Sequence, residues 1–199
     1  MTCVAIIPAR GGSQRIPRKN IRLFHGKPII DYSIKAAQDS GLFQRVFVST
    51  DHPGISSVAY KAGADVLWRP DALAKDNVGT QAVMADALNT IIRDWITVKP
   101  PVYACCIYAT APLMTSVDLI RGYLALRSPN VPYVYAVGPD WRDAGQWYWG
   151  AVETFIDGVS LDQASFYKLP AERVCDINTL DDWSRAEQLY ANLIGSDNG

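Results

Sequence analysis

The chain of 199 residues has few of the residues that crosslink small domains. It contains four cysteines and two histidines, and neither type shows CxxC or metal-ligand spacing. All four cysteines lie in apolar runs, which indicates buried thiols in a reducing compartment. We assign His25 and His52 to surface turns. These absences exclude a disulfide scaffold and a zinc module.

Long apolar runs and a one-sided charge are also absent. No apolar stretch reaches membrane length, and the N-terminus shows no charged region followed by a cleavage site. The formal net charge is −1, whereas nucleic-acid-binding domains usually carry a basic excess. We therefore predict a cytoplasmic protein that binds neither membranes nor nucleic acids.

The order of predicted elements indicates an α/β fold. Strands are predicted at 3–8, 45–50, 65–68, 102–107 and 133–137, with helices at 28–41, 51–62, 80–95 and 117–126 between them. This alternation predicts one domain over 1–199 with a doubly wound, mainly parallel, Rossmann-like sheet and helices on both faces. Residues 138–175 read as irregular and aromatic-rich. Thr179 and Asp182 have the spacing of a capping box for a closing helix.

The strongest chemical signal is the loop PARGGSQRIPRKN at 8–20, directly after the first strand. Six Lys or Arg fall within the first thirty residues, and the first acidic residue is Asp31. Paired glycines let backbone N–H groups approach phosphate oxygens, and the cations neutralise the phosphate charge. The loop has neither P-loop nor GxGxxG spacing. It nevertheless predicts a nucleotide ligand.

Residues 6–20 closely resemble the first motif of the CMP-sugar synthetases, the cytidylyltransferases that activate eight- and nine-carbon keto-sugar acids. Further matches follow in order along nearly the whole chain, at 49–51, 69–76, 108–113 and 176–183. Segments 105–112 and 143–150 are similar to the pseudaminic acid branch. The resemblance implies a nucleotidyltransferase sheet, CTP and a nine-carbon keto-sugar acid as substrates, Mg²⁺ as cofactor, and a homodimer.

The resemblance also implies residue roles. The implied nucleotide-binding residues are Arg10, Gly11, Gly12, Ser13, Lys19, Asn20, Arg69 and Thr80. Lys19, Arg10 and Asp176 are the implied catalytic residues, and Lys19 would stabilise charge at the reacting phosphate. Asp176, at the end of a predicted strand, and Asn178 are the implied Mg²⁺ ligands. A pocket for acetamido and hydroxyl groups needs amides, phenols and aromatic walls, which points to Tyr108, Gln146 and Tyr148. Asp51 is explained by a helix N-cap alone.

Three departures from the family pattern qualify this prediction. Gln14 stands where the family usually has Lys, and Asn178 stands where it has Asp. Only residues 138–142 join the last predicted strand to Asp143, where relatives usually carry a few tens of residues that contribute to sugar binding and the dimer contact. Either this connection is naturally contracted or a segment is missing from the sequence. Arg142 is a further candidate for the sugar carboxylate.

The predicted activity is transfer of CMP from CTP to a nonulosonic acid, with pseudaminic acid as the first choice. Three alternatives stay open at this stage. The chain could activate another keto-sugar acid, such as legionaminic, N-acetylneuraminic or a Kdo-like acid. It could use GTP, or it could bind a nucleotide without catalysis.

Overall fold

The computed structural model describes residues 2–94, 99–158 and 163–196, and a seven-stranded sheet forms its centre. The strands are β1 (Cys3–Pro8), β2 (Leu23–Phe24), β3 (Lys27–Pro28), β4 (Arg45–Thr50), β5 (Asp65–Trp68), β6 (Tyr103–Ile107), β7 (Tyr133–Val137), β8 (Asp143–Ala151) and β9 (Ser165–Lys168). The order of the large sheet is β5-β4-β1-β6-β8-β7-β9, and β2 and β3 form a separate hairpin. Only β8 pairs antiparallel with its neighbours in the large sheet, which confirms a mainly parallel architecture.

Helices cover both faces of the sheet, as predicted. They are α1 (Ile29–Asp39), α2 (Pro53–Lys61), α3 (Thr80–Asp94), α4 (Ser116–Leu126), α5 (Val152–Asp157) and α6 (Leu180–Ser196). Buried residues of α1, α2 and α4 pack on one face, and those of α3 and α5 pack on the other. A third cluster joins α6 to the β2–β3 hairpin through Phe24 and Trp183. These layers place the carboxyl ends of the parallel strands at one open edge.

The aromatic segment 138–175 is more regular than its composition predicts, because β8, α5 and β9 all form within it. Trp147 and Trp149 alternate along β8, and both side chains are fully buried in the core. The strand predicted to end at Asp176 does not form. Residues 174–178 instead follow a short 3-10 turn, Ala171–Arg173, without strand pairing.

The short connection at 138–142 closes a β-hairpin directly. Val137 pairs with Asp143, and the Gly138 N–H donates to the Arg142 carbonyl oxygen at 2.8 Å. Trp141 takes up a left-handed conformation at φ 65°, which is uncommon for a residue other than glycine. The ends of β7 and β8 therefore meet without additional residues.

The first helix begins later than predicted, because the residues before it pair in a β-hairpin. Helix α1 begins at Ile29 because Lys27 and Pro28 pair with β2. The predicted end of the third helix at 95 lies outside the described residues. The capping box of α6 is confirmed, since Asp182 accepts the Thr179 N–H at 2.8 Å and the Thr179 hydroxyl oxygen accepts the Asp182 N–H at 3.2 Å.

Two absences noted in the sequence have structural counterparts. All four cysteines are buried and unpaired, as the apolar runs around them predict. Among the helices in the described ranges, none combines the length and the apolar character needed to cross a bilayer.

Candidate active site

A cavity of about 660 Å³ opens beyond Pro8 and Tyr108, at the carboxyl ends of β1 and β6. The strand order reverses between these two strands, because β4 and β5 lie on one side of β1 and β6 lies on the other. Open α/β sheets bind their ligands at such reversal points. The predicted site residues that line the cavity are Arg10, Ser13, Lys19, Asn20, Arg69, Thr80, Tyr108 and Asn178.

The opening loop is anchored by two contacts that fix its backbone. The Gly11 N–H donates to the Asp51 carboxylate at 2.8 Å, and the Asn20 side chain donates to the Arg10 carbonyl oxygen at 2.9 Å. A Cβ at Gly11 would lie 2.7 Å from the His52 ring, so only glycine fits there. Gly11 and Gly12 shape the loop without lining the cavity.

Asp51 thus has a different role from the predicted helix cap. His52 caps α2, since its ring nitrogen accepts the Gly54 N–H at 3.1 Å. The Asp51 carboxylate is committed to the loop. The Gly11 N–H is consequently already bonded to a carboxylate, and the loop's phosphate-binding capacity rests on the other groups that face the cavity.

Asp76 neutralises one end of the basic loop. Arg10 forms an ion pair with Asp76, and the Gln14 amide donates to the same carboxylate at 2.7 Å. The resemblance included Asp76 in a matched segment but gave it no role. The sequence alone does not indicate that Asp76 contacts the loop, because Arg10 and Asp76 are 66 positions apart.

Lys19 lies deeper in the cavity, with its ammonium donating to the Ile177 carbonyl oxygen at 2.7 Å. Burial lowers the pKa of Lys19, the nearby Asp176 carboxylate opposes this shift, and Arg15 and Arg10 add to it. A partly desolvated ammonium interacts more strongly with an anion than a hydrated one does. This position suits the predicted role at the reacting phosphate.

Arg69 forms the buried wall of the cavity and is only 6% exposed. Its guanidinium donates to the Ser49 carbonyl oxygen at 2.8 Å and to the Ser49 hydroxyl at 3.2 Å. Burial lowers the pKa of Arg69, and the Asp51 carboxylate opposes that effect. These bonds hold the side chain rigidly across the end of β4.

The opposite wall joins α3 to β6. The Thr80 hydroxyl lies 3.2 Å from the Tyr108 hydroxyl, and burial raises the pKa of Tyr108. Tyr108 is therefore a neutral hydrogen-bonding group at ordinary pH. Thr80 begins α3, so the residue also lies at the positive end of the helix dipole.

Asn178 lines the cavity and Asp176 does not, and the two form a hydrogen-bonded pair. The Asn178 amide nitrogen donates to the Asp176 carboxylate at 2.6 Å, and its amide oxygen accepts from Arg15 at 3.0 Å. Rotating the amide would place its oxygen against a carboxylate and its nitrogen against a guanidinium, so the charges on both sides fix this orientation. Asn178 therefore directs its oxygen toward Arg15.

In this arrangement a divalent cation could bind the Asp176 carboxylate, whereas both polar atoms of the Asn178 amide are already used in hydrogen bonds to the protein. Among the described residues, no cluster of three His, Cys, Asp or Glu side chains could hold a metal. Asp176 accepts only the Asn178 bond from the side chains of the described chain. Because Mg²⁺ is usually held by one or two carboxylates together with phosphate oxygens and waters, Asp176 alone suffices.

The predicted sugar contacts divide into two groups. The Tyr148 ring lies 5.3 Å from the Tyr108 ring, and its hydroxyl donates to Asp143 at 2.7 Å. Burial also raises the pKa of Tyr148. Gln146 is only 2% exposed, and its amide donates to the Arg173 carbonyl oxygen at 2.5 Å. Neither Gln146 nor Tyr148 lines the cavity itself.

An aromatic row extends from the cavity along the sheet. Tyr148 stacks on Tyr135 with ring centroids 6.4 Å apart, and Tyr135 lies opposite Phe166 in the β7–β9 pairing. Phe166 and Trp141 then contact edge to face at 5.2 Å, and both are half exposed. The row provides an apolar surface next to the cationic cavity.

A cavity lined by cations at the reversal point of a mainly parallel sheet is typical of α/β proteins that bind nucleotides or other phosphorylated ligands. The particular family follows from comparison with known proteins. The chain belongs to the cytidylyltransferase family, whose model matches residues 4–146. Its enzymes transfer a nucleotidyl group, and the chain is classed with them.

One relative matches over almost its whole length. The chain is 34% identical to a pseudaminic acid cytidylyltransferase of Campylobacter jejuni subsp. jejuni serotype O:2, over 96% of this chain and 97% of the relative. That alignment spans 227 positions, more than the 199 residues of this chain. The relative therefore carries internal residues that have no counterpart here.

Solved structures share the fold. A CMP:2-keto-3-deoxy-manno-octonic acid synthetase complexed with CTP superposes with a TM-score of 0.73 at 15% identity, over 96% of this chain and 99% of that chain. A Mycobacterium tuberculosis protein in complex with manganese gives a TM-score of 0.65 at 14% identity, over 94% of this chain and 98% of that chain. These similarities confirm the predicted nucleotidyltransferase fold.

Proposed function

We propose that the chain transfers CMP from CTP to a nonulosonic acid, with pseudaminic acid as the preferred substrate, and releases pyrophosphate. The observation that carries this proposal is the near-complete match to a pseudaminic acid cytidylyltransferase in a chain in which six of the eight predicted nucleotide-binding residues line one cavity. The family match supports the nucleotide, and the relative supports the sugar acid.

In the proposed reaction the anomeric hydroxyl oxygen of the sugar acid bonds to the α-phosphorus of CTP. The bond from that phosphorus to the bridging oxygen breaks in line, and pyrophosphate leaves with the electron pair, while the proton of the attacking hydroxyl is released to solvent. Arg10, Ser13 and Lys19 hold the triphosphate, so much of the rate gain comes from positioning and charge neutralisation. The buried position of Lys19 supports its assignment to the α-phosphate.

Arg69 and Thr80 are the proposed contacts for the nucleoside. Both are fixed by protein hydrogen bonds before a ligand binds, which lowers the ordering cost of binding. Tyr108 and Tyr148 are the proposed contacts on the sugar side, because their phenols and ring faces begin the aromatic row. The buried Gln146 supports this wall from behind through its bond to the Arg173 backbone.

Mg²⁺ is the proposed cofactor, held by Asp176 together with phosphate oxygens of CTP. When bound, the cation would neutralise charge on the triphosphate and on the departing pyrophosphate. The manganese complex of a structural neighbour supports a divalent ion in this fold. We also propose a cytoplasmic homodimer, which light scattering of the purified chain would test.

The decisive experiment measures pyrophosphate release from CTP with pseudaminic, legionaminic, N-acetylneuraminic and Kdo acids in turn. We expect Mg²⁺-dependent release that is highest with pseudaminic acid, and formation of the CMP-sugar by mass spectrometry. Replacing CTP by GTP tests the nucleotide. Calorimetric binding of CTP without release for any acid would instead establish a non-catalytic nucleotide-binding protein.

A further inference from the structure

The four cationic side chains that line the cavity differ in what balances their charge. Arg10 forms an ion pair with Asp76. Lys19 and Arg69 form no ion pair among the described residues, but each lies near a carboxylate, Asp176 and Asp51 respectively, whose charge opposes the lowering of its pKa by burial. The fourth is Arg15, which forms no ion pair with any residue in the described ranges. Its guanidinium donates instead to the neutral amide oxygen of Asn178 at 3.0 Å.

Asn178 holds Arg15 in place without neutralising it. The amide separates the guanidinium from Asp176, because it accepts from Arg15 on one side and donates to Asp176 at 2.6 Å on the other. A guanidinium has five N–H donors, and one of them satisfies this bond. Arg15 therefore presents, on the side of the cavity nearest Asp176, an oriented guanidinium that has spare donors and no direct carboxylate partner among the described residues.

The proposed second substrate brings a charge to the same place. In a keto-sugar acid, the carboxylate is bonded to the anomeric carbon, whose hydroxyl attacks the α-phosphorus. The carboxylate therefore arrives beside the triphosphate, where repulsion between like charges opposes binding. A cation close to the reacting phosphate must offset this repulsion. Arg142 does not meet this requirement, because it does not line the cavity and lies 3.6 Å from Asp140.

We infer that Arg15 binds the carboxylate of the sugar acid and that Asn178 is the residue that positions Arg15. This inference rests on the proposed function and deepens it. The planar guanidinium matches a carboxylate with two parallel hydrogen bonds. Asparagine at 178 preserves the charge of Arg15, whereas an aspartate there would pair with Arg15 and cancel it. The departure from the family pattern thus supplies carboxylate recognition within the contracted chain.

The test compares Michaelis constants for the two substrates, using pyrophosphate release by the full chain with CTP, Mg²⁺ and pseudaminic acid. Arg15→Gln is expected to raise the KM for the sugar acid about tenfold to a hundredfold, the range for a lost hydrogen bond to a charged group. The KM for CTP should stay within about threefold. Arg15→Lys, which keeps the charge without the planar fork, should give an intermediate KM for the sugar acid.

Asn178→Asp tests the positioning role. It should raise the KM for the sugar acid in the same direction as Arg15→Gln, and the double variant should be no worse than Arg15→Gln alone. A lower Mg²⁺ requirement together with a higher kcat in Asn178→Asp would overturn the inference, because Asn178 would then be a weakened metal ligand. Thermal melting checks that each variant remains folded.

Two other outcomes separate the inference from the proposed function. In the first, the wild-type chain is active, but Arg15→Gln raises the KM for CTP and leaves the KM for the sugar acid unchanged. This outcome would refute the inference alone, since Arg15 would then be a phosphate ligand. A wild-type chain that releases no pyrophosphate with any sugar acid would refute the proposed function and this inference with it.

Discussion

Gly11→Ala should weaken CTP binding by displacing the basic loop from α2. The added Cβ would lie 2.7 Å from Cδ2 and 2.8 Å from Cβ of His52. Carbon atoms in contact are normally about 3.5–4.0 Å apart, so the loop and the start of α2 must separate by ~1 Å. Overpacking of this kind costs about 1–3 kcal/mol.

The separation also acts on the anchor of the loop. Moving Gly11 away from α2 lengthens its 2.8 Å hydrogen bond to Asp51, and bonds to charged groups contribute about 1.5–3 kcal/mol. Partial loss of that bond predicts a CTP dissociation constant about tenfold to a hundredfold higher, measured by isothermal titration calorimetry. The expected change comes from loop geometry, because no cationic side chain is altered.

The neighbouring glycine supplies a matched control. A Cβ at Gly12 would come no closer than 3.8 Å to its nearest neighbour, so Gly12→Ala should change the free energy of unfolding by less than about 0.5 kcal/mol, in contrast to Gly11→Ala. His52→Gly removes the clashing atoms and keeps a tolerated N-cap, so the Gly11→Ala, His52→Gly double variant should recover most of the affinity. Unchanged affinity in Gly11→Ala, or no recovery in the double variant, would refute this account of the loop.

Three further predictions concern other contacts. Asp118→Asn should destabilise the chain by about 3–5 kcal/mol in urea unfolding, because Arg173 would keep a largely buried charge without its partner; a loss below about 1 kcal/mol would contradict this. Gly122→Ala should destabilise the chain by roughly 1–2 kcal/mol, since a Cβ there lies 2.5 Å from a buried tryptophan ring and overpacking outweighs the gain in helix propensity. Gly195→Ala, whose Cβ would lie in open space, is the control and should stabilise the chain slightly. CTP affinity should fall with rising pH before the usual pKa of lysine is reached, because the pKa of Lys19 is lowered and Lys19 loses its proton as the pH rises through that value. Lys19→Arg should remove this fall in affinity. The same pH profile in both proteins would count against the prediction.

The fold was predictable where one local pattern decides the structure. All five predicted strands form within a residue of the predicted bounds. Four of them are largely buried apolar runs, as parallel strands covered on both faces require, and the fifth, β5, lies at the edge of the sheet. Strand β8 was not among the predicted strands, because its sequence is not a continuous aliphatic run. Its tryptophans and tyrosines fit several environments, and its place between β6 and β7 depends on pairing with both neighbours.

The site was predictable in composition and much less so in its internal contacts. Most of the predicted nucleotide-binding residues line one cavity, whereas Gly11, Gly12 and the predicted metal ligand Asp176 do not. The partners that fix their geometry come from distant positions, such as Asn178 for Arg15 across 163 positions. No periodicity or spacing connects such positions, because tertiary packing alone brings them together.

These long-range contacts change what the basic loop means physically. In the sequence, cations without a nearby acid indicate a strongly positive site, yet Asp76 and Asp51 return to the loop from 66 and 40 positions away. Arg10 is therefore not a free cation, and a triphosphate that binds it must replace the Asp76 carboxylate. Such an exchange releases fewer solvent counterions than the number of cations suggests, because part of the charge is already neutralised by the protein. The loop's selectivity for a nucleotide consequently rests on the geometry of several donors held in fixed positions, and total charge contributes less than the sequence indicates.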